Sequence, residues 1–294
     1  MSMNPYAAEE QKTILGHPRG LFVLFFAEMW ERFSYYGMRA LLIFYLVQHW
    51  MYSDSEASVI YGAYTALVYI APVVGGYLAD RYLGQRKAVV FGAVLLTFGH
   101  FLMAFEGDGG QSAAEINIFW LALAFIIVGS GFLKANISVM VGQLYRLTDM
   151  RRDAAYTIFY MGINVGAAIG TILVAYLGQT LGWGFGFGLA GIGMLAGLVV
   201  FVLGKASLNG AGEAPAPLDK SKEYALYGVG FAAVAVIWAL VQYQDVIQTL
   251  LAISGIKPRF SIALPSRFTK ASSSSTSNRL TSGPRSRRVS SKAV

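Results

Sequence analysis

The sequence predicts an all-α membrane protein with six transmembrane helices, one additional helix and a disordered tail. Of its 294 residues, 55% are hydrophobic and only 13% are charged, whereas soluble domains carry about 25% charged residues. The apolar runs are also far longer than the ~10-residue alternating segments of a membrane β-barrel. Because a backbone in lipid must satisfy its own hydrogen bonds, each long run is predicted to be a helix.

Six apolar runs are long enough to cross about 30 Å of hydrocarbon as helices. They cover residues 20–48, 57–79, 87–105, 116–145, 154–179 and 184–204. The first run contains charged residues, which the core of a cleavable signal peptide lacks, so it is predicted to be a retained helix. A seventh run, 224–252, is apolar over most of its length and ends in polar residues.

These runs divide the chain into five predicted parts. They are a cytoplasmic N-terminus (1–19), a six-helix bundle (20–205), a flexible cytoplasmic linker (206–221), a seventh helix (222–252) and a disordered Ser/Arg-rich tail (253–294). Alternate loops are basic, which by the positive-inside rule places the N-terminus in the cytoplasm. We therefore expect a multi-pass protein of the cytoplasmic (inner) membrane.

The net charge of +7 resides in the tail. Residues 257–294 contain nine Lys/Arg and no Asp/Glu, so residues 1–256 have a net charge of −2, and the charge gives no reason to expect nucleic-acid binding. The tail is too polar to fold. It is either a natural basic segment that contacts anionic lipid or, as we favour, a product of translation out of frame.

Several kinds of catalytic and cofactor site have no support in the sequence. There is no cysteine, which excludes disulfides and thiolate chemistry. The three histidines, His17, His49 and His100, are scattered, so we expect no metal site. No catalytic constellation for a membrane-embedded enzyme is present, and no cofactor is expected.

The first helix carries an ionisable stripe formed by Glu28, Glu31, Arg32, Tyr35 and Arg39. At 3.6 residues per turn these positions share one face over three turns. Such groups in a membrane helix usually face a partner or a water-filled cavity. A structural salt bridge is one interpretation; we favour a cavity, because five polar groups lie on the stripe. A substrate carboxylate competing for Arg32 would then let a neighbouring glutamate take up a proton.

Lys134 lies mid-membrane in the fourth helix, too far from either end to snorkel easily. It is either a lysine paired with a backbone carbonyl at a kink, or a partner of Glu28 or Glu31, or a binder of a substrate carboxylate. Tyr69 and Asn164 are predicted at similar depth in the second and fifth helices, where either could instead form a helix–helix hydrogen bond.

Two further patterns concern loops and packing. In the loop between the second and third helices, Asp80 is expected to cap the neighbouring helix while the basic groups stay in water. Arg81, Gly84 and Arg86 complete this loop motif.

Glycines four residues apart predict close helix contacts in lipid. They are Gly162, Gly166 and Gly170 in one helix, and Gly193 and Gly197 in the next.

Four segments together resemble a known family. The run Glu28–Gly37 (EMWERFSYYG) is similar to the ExxERFxYYG motif of the proton-dependent oligopeptide transporters (POT/PTR), a branch of the major facilitator superfamily. GGYLADRYLG, GFLKANIS and FYMGINVGA, which begin at Gly75, Gly131 and Phe159, resemble its loop 2–3, helix-four and helix-five motifs. The similarity covers roughly residues 15–250.

The resemblance implies a secondary transporter, not an enzyme: two six-helix bundles with a site between them that moves di- and tripeptides with protons, driven by the proton gradient. It implies proton coupling by Glu28, Glu31, Arg32 and Lys134. It further implies peptide binding by Tyr35, Arg39, Tyr69, Lys134 and Asn164. The segment 224–252 resembles the first of two helices that the bacterial branch carries between its bundles.

The C-terminal bundle of that family has no counterpart in the sequence. In the family it supplies a helix-seven glutamate and the groups that hold the peptide amino terminus. We therefore expect the chain alone to be inactive and the family function to belong to a full-length parent. Transport of nitrate or another small anion, and a non-transporting membrane fragment, are the alternatives.

Overall fold

The structure is a computed structural model that describes residues 13–105 and 112–242. Its helices are α1 (Arg19–Gln48), α2 (Asp54–Leu78), α3 (Gln85–Met103), α4 (Ala113–Gln143), α5 (Arg151–Thr180), α6 (Trp183–Gly204) and α7 (Lys220–Gln242). All seven predicted helices are confirmed over the described residues. The predicted end of the seventh helix, most of the N-terminus and the tail with its two interpretations lie outside them.

Six helices, α2 to α7, are long and apolar enough to cross a membrane. The helix α1 is also long enough, since its 30 residues span roughly 45 Å at about 1.5 Å per residue. Unlike α2 to α7, it carries four charged residues between positions 28 and 39. The chain is therefore a multi-pass helical bundle whose first helix carries buried charged residues.

Local sequence signals explain where α2 begins and ends. Ser53 and Glu56 form a capping box at its start, which satisfies two backbone N–H groups that the helix leaves free. Its last turn widens into a π-helix, Ala79–Leu83. Gly84 then reverses the chain with φ +77°, a conformation that favours glycine, and α3 begins at the next residue.

The helix α1 is packed between α5 and α6 through small residues. Gly162, Gly166 and Gly170 of α5 face the α1 backbone between Phe25 and Phe33, and an added Cβ at Gly166 would overlap the carbonyl oxygen of Met29. This contact confirms the prediction from the glycine spacing. It brings the α1 backbone closer than larger side chains would allow.

The helix α6 covers a second side of α1 in the same way. An added Cβ at Gly193 would lie 2.5 Å from the ring of Phe33, and one at Gly197 would lie 3.1 Å from the carbonyl oxygen of Ala27. In addition, the hydroxyl of Ser34 donates a hydrogen bond of 2.7 Å to the carbonyl of Ala190. Together α5 and α6 fix the rotation of α1, which determines where its ionisable stripe points.

The helix α7 packs on α3 and α4. Val234 is 3% exposed within an apolar cluster contributed by these helices. Phe91 of α3 makes ring contacts with Tyr227, at 4.9 Å between centroids. The indole N–H of Trp238 donates to the carbonyl oxygen of Asn117 at 3.3 Å. The additional helix is thus part of the packed bundle over the residues described.

The segment 206–221 was predicted to be a flexible linker, and this prediction needs correction. The backbone N–H of Gly212 donates to the side-chain carbonyl of Gln143 at 2.6 Å. Arg86 donates from its backbone N–H to the carbonyl of Gly212 at 2.8 Å and from Nε to the carbonyl of Ala211 at 2.5 Å. The linker is therefore docked on α3 and α4, and Gly210 and Gly212, both with positive φ, allow the turns that present these groups.

We expect Gly166→Ala to destabilise the bundle by about 1–3 kcal/mol, because a methyl group in this tight contact forces helices apart. Gly62→Ala is the matched control: its Cβ would meet no atom within 4 Å, so alanine should leave stability unchanged or raise it by about 0.5–1 kcal/mol. Thermal unfolding of both variants in detergent measures the difference. Equal midpoints would contradict the α1–α5 contact.

We expect Arg86→Gln to release the docked linker, because the shorter amide cannot reproduce the bonds to Ala211 and Glu213. Hydrogen exchange of the amides in 209–214 should become faster. Lys87→Gln is the control, since the neighbouring Lys87 pairs with Glu223 at 2.6 Å and leaves the linker contacts intact. Unchanged protection in Arg86→Gln would show that Arg86 does not hold the segment.

Candidate functional site

A buried ion triad lies in the middle of α1. Nε of Arg32 is 2.7 Å from Oε1 of Glu28 and 2.7 Å from Oε2 of Glu31. The Nε–H donates to Oε1 of Glu28, and neither oxygen of Glu31 receives a hydrogen bond from the described residues. The three residues are only 2%, 1% and 4% exposed, in the order Glu28, Glu31, Arg32.

This burial corrects the expectation that the acids face a water-filled cavity. A crevice of about 230 Å³ is present beside α1, but it is apolar and lies against Met29, Trp30 and Phe33, on another face of the helix. The acidic groups instead form the salt bridge of the alternative interpretation. Glu28 and Glu31 are more deeply buried than the two nearby cations Lys134 and Arg39, which are half-buried or partly exposed.

Lys134 of α4 is the fourth charge of this region. Its Nζ lies 3.9 Å from the ring centroid of Tyr69 and 5.6 Å from that of Tyr35, so two aromatic faces hold the ammonium group. It interacts electrostatically with Glu28 and Glu31. It makes no salt bridge with either in the described part of the chain. Lys134 is half-buried and lies between the triad and the surface of the bundle.

Arg39 lies two turns further along α1 and is paired with a tyrosine. Its Nε donates to the hydroxyl of Tyr61 of α2, and its guanidinium carbon is 5.2 Å from that ring centroid. Arg39 and Tyr61 are both partly exposed. A second cation is therefore accessible on the α1–α2 side, more open than the triad.

Tyr69 and Asn164 lie on exposed faces of α2 and α5. Tyr69 is 54% exposed while its ring contacts Lys134. The side-chain N–H of Asn164 donates to the carbonyl oxygen of Tyr160 within its own helix at 2.9 Å, so this bond does not link two helices. The structure brings Tyr69, Lys134 and Tyr35 together, whereas no contact of Asn164 with them is observed among the described residues.

The loop between α2 and α3 differs from its prediction in two ways. Asp80 accepts a hydrogen bond of 2.6 Å from the side chain of Gln85, and α3 has no side-chain cap. Arg86 is engaged with the linker instead of remaining in water. Arg81 is exposed, as expected of a loop cation. Gly84 faces Ala214, whose backbone N would be 2.5 Å from an added Cβ.

The sequence interpretation missed Tyr61 and Tyr64. Both face α1 from α2. Tyr61 accepts a hydrogen bond from Arg39, and Tyr64 is 3% exposed with a hydroxyl that has no hydrogen-bond partner among the described residues. The sequence gives only a weak indication of their role. The two tyrosines are three residues apart in an apolar run, and residues at this spacing lie on the same face of a helix. Only the placement of α2 beside the stripe distinguishes them from packing residues.

We expect Arg32→Met to destabilise the protein strongly, by about 3–5 kcal/mol, because two buried carboxylates lose the guanidinium with which they pair in the described structure. Arg151→Met is the control: Arg151 pairs with Asp149 at 2.8 Å and is half exposed, and such pairs contribute about 0–1 kcal/mol. Chemical or thermal unfolding in detergent compares the two. A similar small effect in both variants would contradict the importance of the triad for folding.

Comparison with known proteins identifies the family. A family model described as PTR2, POT family, matches residues 86–271. The uncharacterized transporter YclF of Bacillus subtilis is 42% identical over 236 residues, covering 79% of this chain and 46% of the relative. The di-/tripeptide transporter of Lactococcus lactis is 42% identical over 202 residues, covering 66% of this chain and 39% of the relative.

Solved structures agree with the sequence relatives. A POT family transporter in complex with a thioalcohol-conjugated peptide superposes with a TM-score of 0.66 at 38% identity, covering 84% of this chain and 50% of that one. The chain thus spans about half the length of the proteins it matches, or less. With the helices and their buried ion triad, these similarities show that the chain belongs to the POT family of peptide transporters, which are secondary transporters and not enzymes.

Proposed function

We propose that a transporter built on this chain carries di- and tripeptides together with protons across the cytoplasmic membrane. The observation that carries the proposal is the shared guanidinium of Arg32. Its Nε–H donates a hydrogen bond to Glu28, whereas Glu31 receives no hydrogen bond from the described residues. A buried carboxylate with an incomplete set of partners is a suitable proton acceptor, since a proton removes its charge in a poorly solvated position.

The peptide would bind at the more open groups above the triad. Lys134 and Arg39 are cations at half-buried or partly exposed positions, and either can attract a peptide carboxylate. Tyr69 and Asn164 lie on exposed faces of the neighbouring helices and offer further hydrogen-bonding groups. A carboxylate beside Lys134 weakens the attraction between Lys134 and Glu31. Glu31 then gains a proton more readily, which couples the two substrates.

A second helix bundle is required by this proposal. The relatives are about twice as long, and α2 and α5 expose large apolar side chains beside Tyr69 and Asn164, among them Val73 and Ile172 at 73% and 67% exposure. A facing bundle can cover these surfaces and complete the pocket. Alternating access depends on one bundle rocking against the other, so we expect the chain by itself not to transport.

The direction of insertion is also part of the proposal. Arg81, Arg86 and Lys87 follow α2, and Arg146, Arg151 and Arg152 lie between α4 and α5. By the positive-inside rule these loops face the cytoplasm, together with the start of α1. The end of α1 that carries Arg39 then points to the outside, from which protons and peptides enter.

The test uses proteoliposomes in which the chain is completed with the C-terminal half of the Lactococcus lactis relative. Acidification outside should drive accumulation of a labelled dipeptide by the completed protein, but not by the chain alone. Glu31→Gln should lower this uptake by at least about tenfold, the size of a lost proton-transfer group, while dipeptide counterflow without a proton gradient persists. Asp153→Asn is the control, because Asp153 is exposed in the first turn of α5 and lies outside the site.

Unchanged pH dependence of uptake in Glu31→Gln would refute the proposed coupling role. Accumulation of labelled nitrate in place of dipeptide would support transport of a small anion instead. Folding of each variant is checked by size-exclusion chromatography before uptake is compared.

A further inference from the structure

Three buried polar groups extend from the ion triad, beginning with its Glu31, toward the Arg39–Tyr61 pair. The hydroxyls of Tyr35 and Tyr64 and the carboxylate of Glu31 receive and donate no hydrogen bond among the described residues. Tyr35, Tyr64 and Glu31 are 1%, 3% and 1% exposed. Each such buried group costs about 1–3 kcal/mol if it stays unpaired, so a purely structural role does not account for this cluster.

The helix geometry orders these groups along one line. The helices α1 and α2 follow each other in sequence and run in opposite directions, and Arg39 of α1 contacts Tyr61 of α2. Tyr64 is one turn further along α2, which corresponds to moving back along α1 from Arg39 toward Glu31. Consistent with this order, Tyr64 interacts electrostatically with Glu31, Tyr35, Arg39 and Tyr61.

From this arrangement we propose that water bound by the otherwise unpaired hydroxyls of Tyr64 and Tyr35 completes a proton relay between the open Arg39–Tyr61 end and Glu31. The inference rests on the proposed proton coupling and adds the route by which the proton reaches a sealed carboxylate. A proton from water at the open end bonds to the Tyr64 oxygen as that hydroxyl releases its own proton, which passes through intervening water and the Tyr35 hydroxyl to Glu31. The tyrosine ends neutral, and the carboxylate becomes a carboxylic acid.

The cations around the relay oppose the entry of a proton. The guanidinium of Arg39 repels a proton at the open end, and Arg32 and Lys134 lie near the buried end. An anion beside Arg39 reduces the first repulsion. The relay is therefore expected to conduct best while a peptide carboxylate occupies that position, which links proton entry to substrate binding.

The first experiment uses the 294-residue chain itself. Infrared difference spectroscopy between acidic and alkaline pH detects the carboxyl stretching band of protonated Glu31, identified as the band that Glu31→Gln removes. Tyr64→Phe keeps the ring and deletes only the hydroxyl, so the band should shift and its titration midpoint should move. Tyr227→Phe is the control, because this hydroxyl bonds Glu223 in α7, outside the cluster.

The second experiment measures transport by the completed protein described above. Tyr64→Phe should lower the maximal rate of proton-driven dipeptide uptake by about tenfold or more, with the KM and counterflow nearly unchanged. Because the two hydroxyls act in one chain, Tyr35→Phe/Tyr64→Phe should lose no more proton-driven rate than the more impaired single variant. A general packing defect would instead impair counterflow as well.

The two proposals fail in different ways. If the unsubstituted completed protein shows no proton-driven uptake, the proposed function is wrong, and the infrared band of the chain alone still decides whether the Tyr64 hydroxyl is coupled to Glu31. If uptake is proton-driven and Tyr64→Phe matches the unsubstituted protein, the relay is wrong. A shifted band with unchanged transport also overturns it, because the hydroxyl is then coupled to Glu31 without conducting the proton.

Discussion

The buried ion triad of α1 is the constraint around which the bundle is arranged. Glu28, Glu31 and Arg32 together have one excess negative charge, and Lys134 of α4 is the cation that restores neutrality, although it forms no salt bridge with either acid in the described structure. A buried charge without compensation is costly, and most of that cost appears when one partner is removed. The positions of α1 and α4 are therefore linked by charge as well as by packing.

Small residues make this burial possible. The glycines of α5 and α6 let α1 approach closely on two sides, and this leaves its ionisable stripe directed toward α2 and α4. Along α1 the solvent exposure of the stripe increases from Glu31 to Arg39. The stripe is sealed at Glu31, aromatic at Tyr35 and partly open at Arg39. The proposed proton site at Glu31 and the proposed substrate site at Lys134 and Arg39 would lie at opposite ends of this gradient.

The loop 2–3 motif has a wider structural role than its sequence implied. Arg86 binds three consecutive residues of the linker, and the adjacent Lys87 pairs with Glu223 at the start of α7. The motif thus ties the end of α2 to the segment that follows the sixth helix. Because α7 also packs on α3 and α4, any movement of this segment has to break hydrogen bonds at Arg86.

The sequence by itself determined the helices, their order, the face on which the charged residues of α1 lie and the glycine contacts, because these depend on local periodicity and on the cost of polar groups in lipid. Only the tertiary structure decided that the acids are sealed, that Lys134 rests on Tyr69 and Tyr35, and that the linker is docked. Those features depend on the rotation and spacing of separate helices. The Gly-, Ala- and Pro-rich linker has no apolar period, so nothing local indicates that its carbonyls meet an arginine 125 residues earlier.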